Sequence, residues 1–186
     1  MEIWELFAIA VGLSMDAFAI AICKGLSVEN AEKKHLLIVG LWFGGAQALM
    51  PLLGFLLGTS FQSLIEQIDH WIAFVLLGII GLGMVKESRE ECKSLDASFS
   101  ARAMFPLAIA DSIDALAAGV TFAFLEVEII PAILLIGVIT FGFSAFGVWL
   151  GNRFGEGYRS KAELTGGILL IIMGTKILLE HLGVLG

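Results

Sequence analysis

Apolar residues along this chain come in long runs, separated by short polar connections. Six runs stand out, at residues 3–23, 36–58, 71–86, 103–125, 129–150 and 163–182. Each meets or nearly meets the roughly 20 apolar residues that a membrane-crossing helix needs. The third is short, and its end is blurred by Lys86 and Glu87. Pro106 and Pro131 fall near helix starts, where proline is tolerated. The pattern predicts an all-α integral membrane protein of six transmembrane helices.

Composition points the same way. Of 186 residues, 58% are hydrophobic and only 16% charged. That is more apolar material than one soluble core can hide, so lipid is the expected solvent. Two cysteines, Cys23 and Cys92, suggest no disulfide framework. The formal net charge of −7 sits mostly in loops and ends and does not suggest a nucleic-acid partner. The N-terminus lacks the basic region of a signal peptide. The Ala-Phe-Ala at 17–19 could pass for a cleavage site, but the apolar run continues past it, so the first segment reads as an uncleaved membrane helix. Glycine occurs 22 times and suits close helix packing in lipid. The small-xxx-small spacings Gly40/Gly44, Gly54/Gly58 and Gly147/Gly151/Gly155 also arise by chance in such a chain, so they do not select helix pairs.

Positive charge sets the expected orientation. Lys24, Lys33 and Lys34, then Lys86, Arg89, Lys93 and Arg102, then Arg153, Arg159 and Lys161 place ten of eleven Lys and Arg in the first, third and fifth connections. The second and fourth carry only Glu66, Asp69, Glu126 and Glu128. The positive-inside rule then puts the odd connections in the cytoplasm and both termini outside, with Trp4 and Trp71 near the outer interface. The eleventh cation, Lys176, pairs with Glu180 one turn on or snorkels outward.

A repeat is also legible. Shifting the chain by 98 residues lays Ser14, Asp16 and Ala17 on Ser112, Asp114 and Ala115, Ala19 on Ala117, Cys23 on Thr121, and Phe43–Gly44 on Phe141–Gly142. A shift of 93 lays Gly81 and Glu87 on Gly174 and Glu180. Residues 1–86 and 103–186 thus read as two three-helix copies joined by a cytoplasmic linker at 87–102. Three spans reverse the orientation of the second copy, giving the inverted-repeat plan of many secondary transporters.

The aspartates carry the chemistry. Asp16 lies inside the first span and Asp114 near the middle of the fourth. A charge at the bilayer centre costs roughly 2.5–3.5 kcal/mol by insertion measurements, and such residues mark ion or proton paths. The bland reading is a protonated carboxyl bonded to a neighbouring helix. Asp111, three residues before Asp114, shares its helix face, and Thr121 continues it. Asp111 reads equally as a second ligand, a vestibule charge or a water-exposed residue. In the second span, Pro51 removes the N–H that would bond the Gln47 carbonyl, so Gln47 offers two oxygens at depth, or simply an interhelical hydrogen bond. Ser112, Thr140 and Ser144 add hydroxyls. These are hard oxygen donors suited to Mg, Ca or Mn. Met15 reads as packing. His35, His70 and His181 fall at span ends, and Cys23 at an edge, which disfavours a soft-metal site. The candidate ligands are therefore Asp16, Asp114, Gln47, Asp111, Ser112 and Thr121.

The stretches GLSMDAFAIAICKG, FGGAQALMPLLG, DHWIAFVLL and AIADSIDALAAG resemble the bacterial manganese efflux pump family (MntP) over nearly the whole chain. The resemblance implies six helices, an inverted repeat, an inner-membrane location and export of Mn²⁺ as cargo, with no cofactor. It matches Asp16 and Asp114 to the family's intramembrane aspartates. Gln47 stands where some members carry glutamate, and Asp111 where an uncharged threonine is common, so the charge of the site departs from the family pattern. Two other readings compete. An intramembrane aspartyl protease would need Tyr-Asp and Gly-x-Gly-Asp motifs, which neither Asp16 nor Asp114 fits. A passive cation channel, or an exporter of another divalent metal, differs from a manganese pump only in transport. No P-loop is present, so direct ATP coupling within this chain is excluded, and proton exchange is the natural coupling.

Overall fold

The computed structural model describes residues 3–60, 69–89, 95, 97–154 and 158–182. Seven helices follow in order among them: α1 (Ile3–Leu26), α2 (Lys33–Thr59), α3 (Asp69–Glu87), α4 (Ala101–Asp111), α5 (Ile113–Phe124), α6 (Ile129–Phe154) and α7 (Arg159–His181). Four of them, α1, α2, α6 and α7, are long and apolar enough to cross a membrane. The fourth predicted span is not one straight helix. It breaks at Ser112 into α4 and α5, which meet at 42° and count as a fifth crossing if taken as one broken span. The third run forms α3, 19 residues long, and the segment before it, 61–68, lies outside the described residues. Its apolar stretch, Trp71–Val85, is closed by Lys86 and Glu87 at one end and by Asp69 and His70 at the other.

The outward surface is apolar. Leu41, Leu49, Leu53, Leu56, Leu134, Val138 and Phe146 are all exposed, while Ser14, Gln47, Asp111, Ser112, Thr140 and Ser144 are buried. In water this distribution would be inside out. In lipid it satisfies the polar groups inside the bundle and leaves hydrocarbon on the outside.

Glycine lets the helix backbones touch. A Cβ on Gly147 would lie 2.8 Å from the carbonyl oxygen of Phe18, and one on Gly151 2.1 Å from that of Ile22, so α1 and α6 run parallel in close contact. Gly54 and Gly58 of α2 sit in the same way against Leu116 and Val120 of α5, again in parallel. Gly44 faces Gly137 across an antiparallel α2–α6 contact, and Gly81 faces Gly167 across an antiparallel α3–α7 contact. Met15 and Gly12 pack antiparallel on α7 at Gly166 and Leu170. Direction therefore alternates along the chain: α1, α3 and α6 run one way, and α2, α4–α5 and α7 the other. The glycine spacings that could not select partners from sequence do mark these seams. Gly155 lies outside the described residues.

Short connections are tied down locally. Asn152, at the end of α6, donates to the carbonyls of Val28 (2.8 Å) and Gly25 (3.3 Å) and accepts from the Ala31 N–H. The α5–α6 turn closes with Glu126 at φ 52° and a hydrogen bond from the Val127 N–H to the Phe122 carbonyl, a Schellman arrangement. At the start of α2, the Glu32 N–H donates to His35 Nδ1 (3.1 Å), and the His35 ring stacks on Phe99. Cys23 is disulfide-bonded, although the two cysteines suggested no disulfide framework in the sequence. Sequence spacing is blind to a pairing made by tertiary approach.

Candidate metal centre

The depth of the site follows from helix register. Asp16 stands ten residues before the end of α1, about 15 Å along the axis. Asp111 and Asp114 stand a similar distance into the broken α4–α5 rod. The break puts these two carboxylates on different half-helices. Asp111 ends α4, and Asp114 sits in the first turn of α5, where the positive end of the helix dipole complements a carboxylate. Ser112 lies between them. Its hydroxyl donates to the carbonyl of Ala108 (2.7 Å), with that of Ile109 at 3.2 Å. Such back-bonding bends helices, but Ser14 makes the same bond to Ala10 (2.6 Å) inside the unbroken α1. The packing around Ser112 completes the break. Gly119 and Leu116 draw α5 onto the α2 backbone at Pro51 and Gly54, while Met104 and Ala108 hold α4 in a separate cluster with Phe43 and Val39.

Asp16, Asp111 and Asp114 all line one cavity of about 400 Å³. Asp16 lies within electrostatic reach of Asp111, Asp114, Glu87 and Glu163. Asp111 is 2% exposed. Gln47, 1% exposed, donates through Nε2 to Asp111 Oδ2 (3.3 Å) and to the Asp111 carbonyl (3.4 Å). Gln47 thus fills both of its sequence roles: its nitrogen makes the interhelical bond, and its oxygen is left over. Gln47 Oε1 and Ser144 Oγ are buried with no hydrogen-bond partner among the described residues, while the Asp111 carboxyl lies in hydrogen-bond contact with that of Asp16. Leaving such groups unpaired in a dry interior is costly. Gln47 and Ser144 do not line the cavity, whereas Asp16, Asp111 and Asp114 do, and carboxylate oxygen is the donor type that a hard cation takes.

Two expected ligands stand apart. Thr121 is buried, but its hydroxyl donates to the Ala117 carbonyl (3.2 Å), and it does not line the cavity. Ser112 does not line it either, its hydroxyl being turned back into α4. On the α1–α6 side, Ser14 and Thr140 share a hydrogen bond of 2.8 Å.

Three charged residues outside the expected set line the cavity among the described residues: Glu87, Glu163 and Arg159. Carboxylate oxygens of Asp16, Glu87 and Glu163 all lie within 4.8 Å of one another. Like charges at that separation repel by about 3.5 kcal/mol per pair at an effective dielectric of roughly 20. The Arg159 guanidinium meets Glu163 at 2.8 Å and offsets part of this. Among the described residues, these three carboxylates and the Arg159 guanidinium sum to a formal −2. In sequence Glu87 looks like the blurred end of a short span, and Glu163 like the start of another. The Arg159–Glu163 spacing of four was the available signal.

The cavity reaches the end of the bundle where α1 and α3 finish and α4 and α7 begin. Among the described residues, the other end is closed. Lys176 meets Glu5 at 2.6 Å and Glu180 at 3.2 Å, with Glu5 buried. Leu6, Ile9, Leu13, Leu77, Leu170 and Ile177 pack beneath that pair.

Comparison with known proteins gives one consistent family. A family described as "Putative manganese efflux pump" (Mntp) matches residues 30–178. A protein of Desulfitobacterium hafniense named "Putative manganese efflux pump MntP" is 63% identical over 182 residues, covering 98% of this chain and 97% of its own. Proteins of the same name from Acetivibrio thermocellus and Campylobacter jejuni are 58% and 53% identical, covering 97% and 98% of this chain and 92% and 98% of theirs. No solved structure matches the chain.

Proposed function

The chain belongs to the manganese efflux pump family, and from that premise we propose that it is a secondary-active exporter of Mn²⁺ across the bacterial cytoplasmic membrane, exchanging the ion for protons at its intramembrane aspartates. The family is one of transporters, not enzymes. The observation that carries the proposal is the convergence of Asp16, Asp111 and Asp114, from α1, α4 and α5, on one oxygen-rich cavity inside an apolar bundle.

The orientation follows the charge pattern. With both termini outside, the cavity opens toward the Lys- and Arg-rich side, the cytoplasm, and Glu5–Lys176 closes the outer end. Cytoplasmic cysteine labelling within residues 24–35 and 152–162 is the expected result.

An inverted repeat of three helices supplies the moving parts, and paired contacts support it. The α1–α6 contacts Phe18–Gly147 and Ile22–Gly151 recur as Leu116–Gly54 and Val120–Gly58, offsets of 98 on one helix pair and 93 on the other. The Ser14–Ala10 bond recurs as Ser112–Ala108 at the same 98. Gly44 faces Gly137, again 93 apart, and the reciprocal Gly81–Gly167 contact gives 86. These offsets replace two of the sequence overlays, Phe43–Gly44 on Phe141–Gly142 and Gly81/Glu87 on Gly174/Glu180. Connections of unequal length shift the register from helix to helix.

The mechanism needs only a carboxylate's choice between two cations. Manganese from the cytoplasm binds the ionised aspartates and displaces protons. Rocking of the two units opens the outer end, where protons replace the ion. The test is purified protein in liposomes, with manganese and internal pH followed together. Manganese movement coupled to opposite proton movement is expected, with Asp16→Asn and Asp114→Asn each abolishing it. Manganese flux that ignores the pH gradient and moves no protons would leave a channel or uniporter.

A further inference from the structure

We propose that Ser14 and Ser112 are paired hinges, and that in the outward-open state α1 is broken at Ser14 while α4 and α5 join into one straight helix. The proposal rests on the export reading and on the inverted repeat. It deepens both by naming the segments that move, the first half of α1 at the outer end and α4 at the cytoplasmic end.

The two spans are one design in two shapes. α1 runs from Ile3 to Leu26, and 98 residues on, α4 begins at Ala101 and α5 ends at Phe124. The serine falls at the same place in both and bonds the same carbonyl, that of Ala10 in α1 (2.6 Å) and of Ala108 in α4 (2.7 Å). A hydroxyl that takes a share of the carbonyl four residues back weakens the helix at that point. Yet α1 runs unbroken through Ser14, while α4 meets α5 at 42°. The polar side chains beside the two hinges differ accordingly. Thr140 bonds the Ser14 hydroxyl (2.8 Å), whereas Gln47, 93 residues earlier, donates to the Asp111 carbonyl next to Ser112 (3.4 Å). Each serine stands two residues before a site carboxylate, Asp16 or Asp114, so a bend at either one re-aims an ion ligand.

The half-helix with room to move is α4, which stands between two cavities. Leu107, Ala110 and Asp111 line the ion cavity of about 400 Å³, and Phe105, Ala108 and Ile109 line an apolar cleft of about 300 Å³ against α2. A latch holds its start at the end of α1 and the beginning of α2. The Lys24 amine donates to the Ser98 carbonyl (2.8 Å), and the Phe99 ring meets both Lys24, 5.0 Å from its centroid, and the His35 ring, stacked at 4.3 Å. The first half of α1 is packed instead: Leu6, Ile9 and Leu13 are buried in one cluster with Leu77 of α3 and Leu170 and Ile177 of α7. Straightening α4 lays it on α7 and α3 as α1 lies now, with Leu107 in the place that Ile9 holds, and shuts the cavity mouth. Breaking α1 carries Glu5 off Lys176 and opens the outer end toward Asp16. With 11 residues in α4 and a bend of 42°, its start travels about 12 Å.

The experiment measures distances inside each three-helix unit, which rigid rocking of the two units leaves unchanged. Full-length protein in manganese-free nanodiscs carries spin labels on unnatural amino acids, so that Cys23 stays in place. The labels sit at Phe7 and Trp71 in one sample and at Arg102 and Leu164 in another, and double electron–electron resonance reads each pair. Ser112→Ala removes the competing hydroxyl and favours an unbroken helix. It should shorten the 102–164 distance and lengthen the 7–71 distance together, each by up to about 12 Å. Phe99→Ala, which frees the start of α4 without touching the hinge, should move both pairs the same way. Ser14→Ala should hold both at the parent's values. Alanine is the strongest helix former, so neither serine variant threatens folding. Both should slow manganese efflux from proteoliposomes several-fold, each by fixing a different hinge. Distances that stay at the parent's values in both Ser112→Ala and Phe99→Ala overturn the hinge, and efflux that persists leaves the export reading standing on rigid rocking. A shift of one pair without the other overturns the exchange of shapes. A parent protein that moves no manganese refutes the export reading itself.

Discussion

Substituting Gly119 by alanine tests the packing that holds the site together. A Cβ on Gly119 would lie 2.1 Å from the carbonyl oxygen of Pro51 and 2.6 Å from its Cα. Both are backbone atoms, so no side chain can swing away. Reaching ordinary contact at 3.4 Å requires α5 and α2 to part by about 1.3 Å, the difference between the two distances. Overpacking of this kind costs about 1–3 kcal/mol. The consequence reaches the site, because Gln47 lies one turn before Pro51 on α2 and Asp111 about two turns before Gly119, across the Ser112 break. Their 3.3 Å bond has no slack, and a bond stretched past roughly 3.6 Å is no longer one. Gly45, Gly78, Gly83 and Gly142 are the controls. They too are inside helices, but a Cβ on any of them meets nothing within 4 Å. Alanine there should stabilise by about 0.5–1 kcal/mol by restricting the unfolded chain. The two sets should therefore move thermal unfolding of the detergent-purified protein in opposite directions, at about 2–4 °C per kcal/mol for a chain of this length. Manganese export from loaded vesicles should fall in Gly119→Ala and persist in the controls. A Gly119→Ala protein that melts and transports like Gly142→Ala would refute the close α2–α5 seam and the coupling drawn from it.

Two further outcomes follow from single contacts. Gln47→Leu removes the donor that orients Asp111 and one unpartnered oxygen, so Mn²⁺ affinity should fall about 10–100-fold, as for other groups that orient a metal ligand. Isothermal titration of the purified protein reads this, and an unchanged affinity would mean that Asp111 is held by other contacts. Glu5→Gln breaks the buried Lys176 pair that closes the outer end. It should raise labelling of cysteines introduced below that pair from the external side, without lost protein in the membrane. Labelling equal to that of the parent would show that the apolar cluster around Leu6 and Ile177 seals the end by itself.

The sequence by itself determined the solvent, the helices and the central carboxylates. Each is a local sum. A run of apolar residues is costly to hydrate wherever it ends up, and a carboxylate in such a run is costly to bury unless something uses it. Asp16 and Asp114 could therefore be singled out before any contact was known, and the glycine spacings could be noted. What each glycine touches was decided by tertiary packing. So was the break at Ser112: Ser14 and Ser112 make the same back-bond, yet only the second sits at a bend, where α5 is drawn onto α2 at Pro51 and Gly54 while α4 packs further back along α2, on Val39 and Phe43. Thr121, on the expected face of its helix, turned its hydroxyl to its own backbone, a competition that periodicity does not register. Glu87 and Glu163 were passed over because a charge at a helix end ordinarily means solvent. They reach the cavity because packing brings together oxygens from residues 16, 87 and 163. Hydropathy is read one residue at a time, whereas a cation site is a set of distances between residues far apart in the chain, and only the folded bundle fixes those distances.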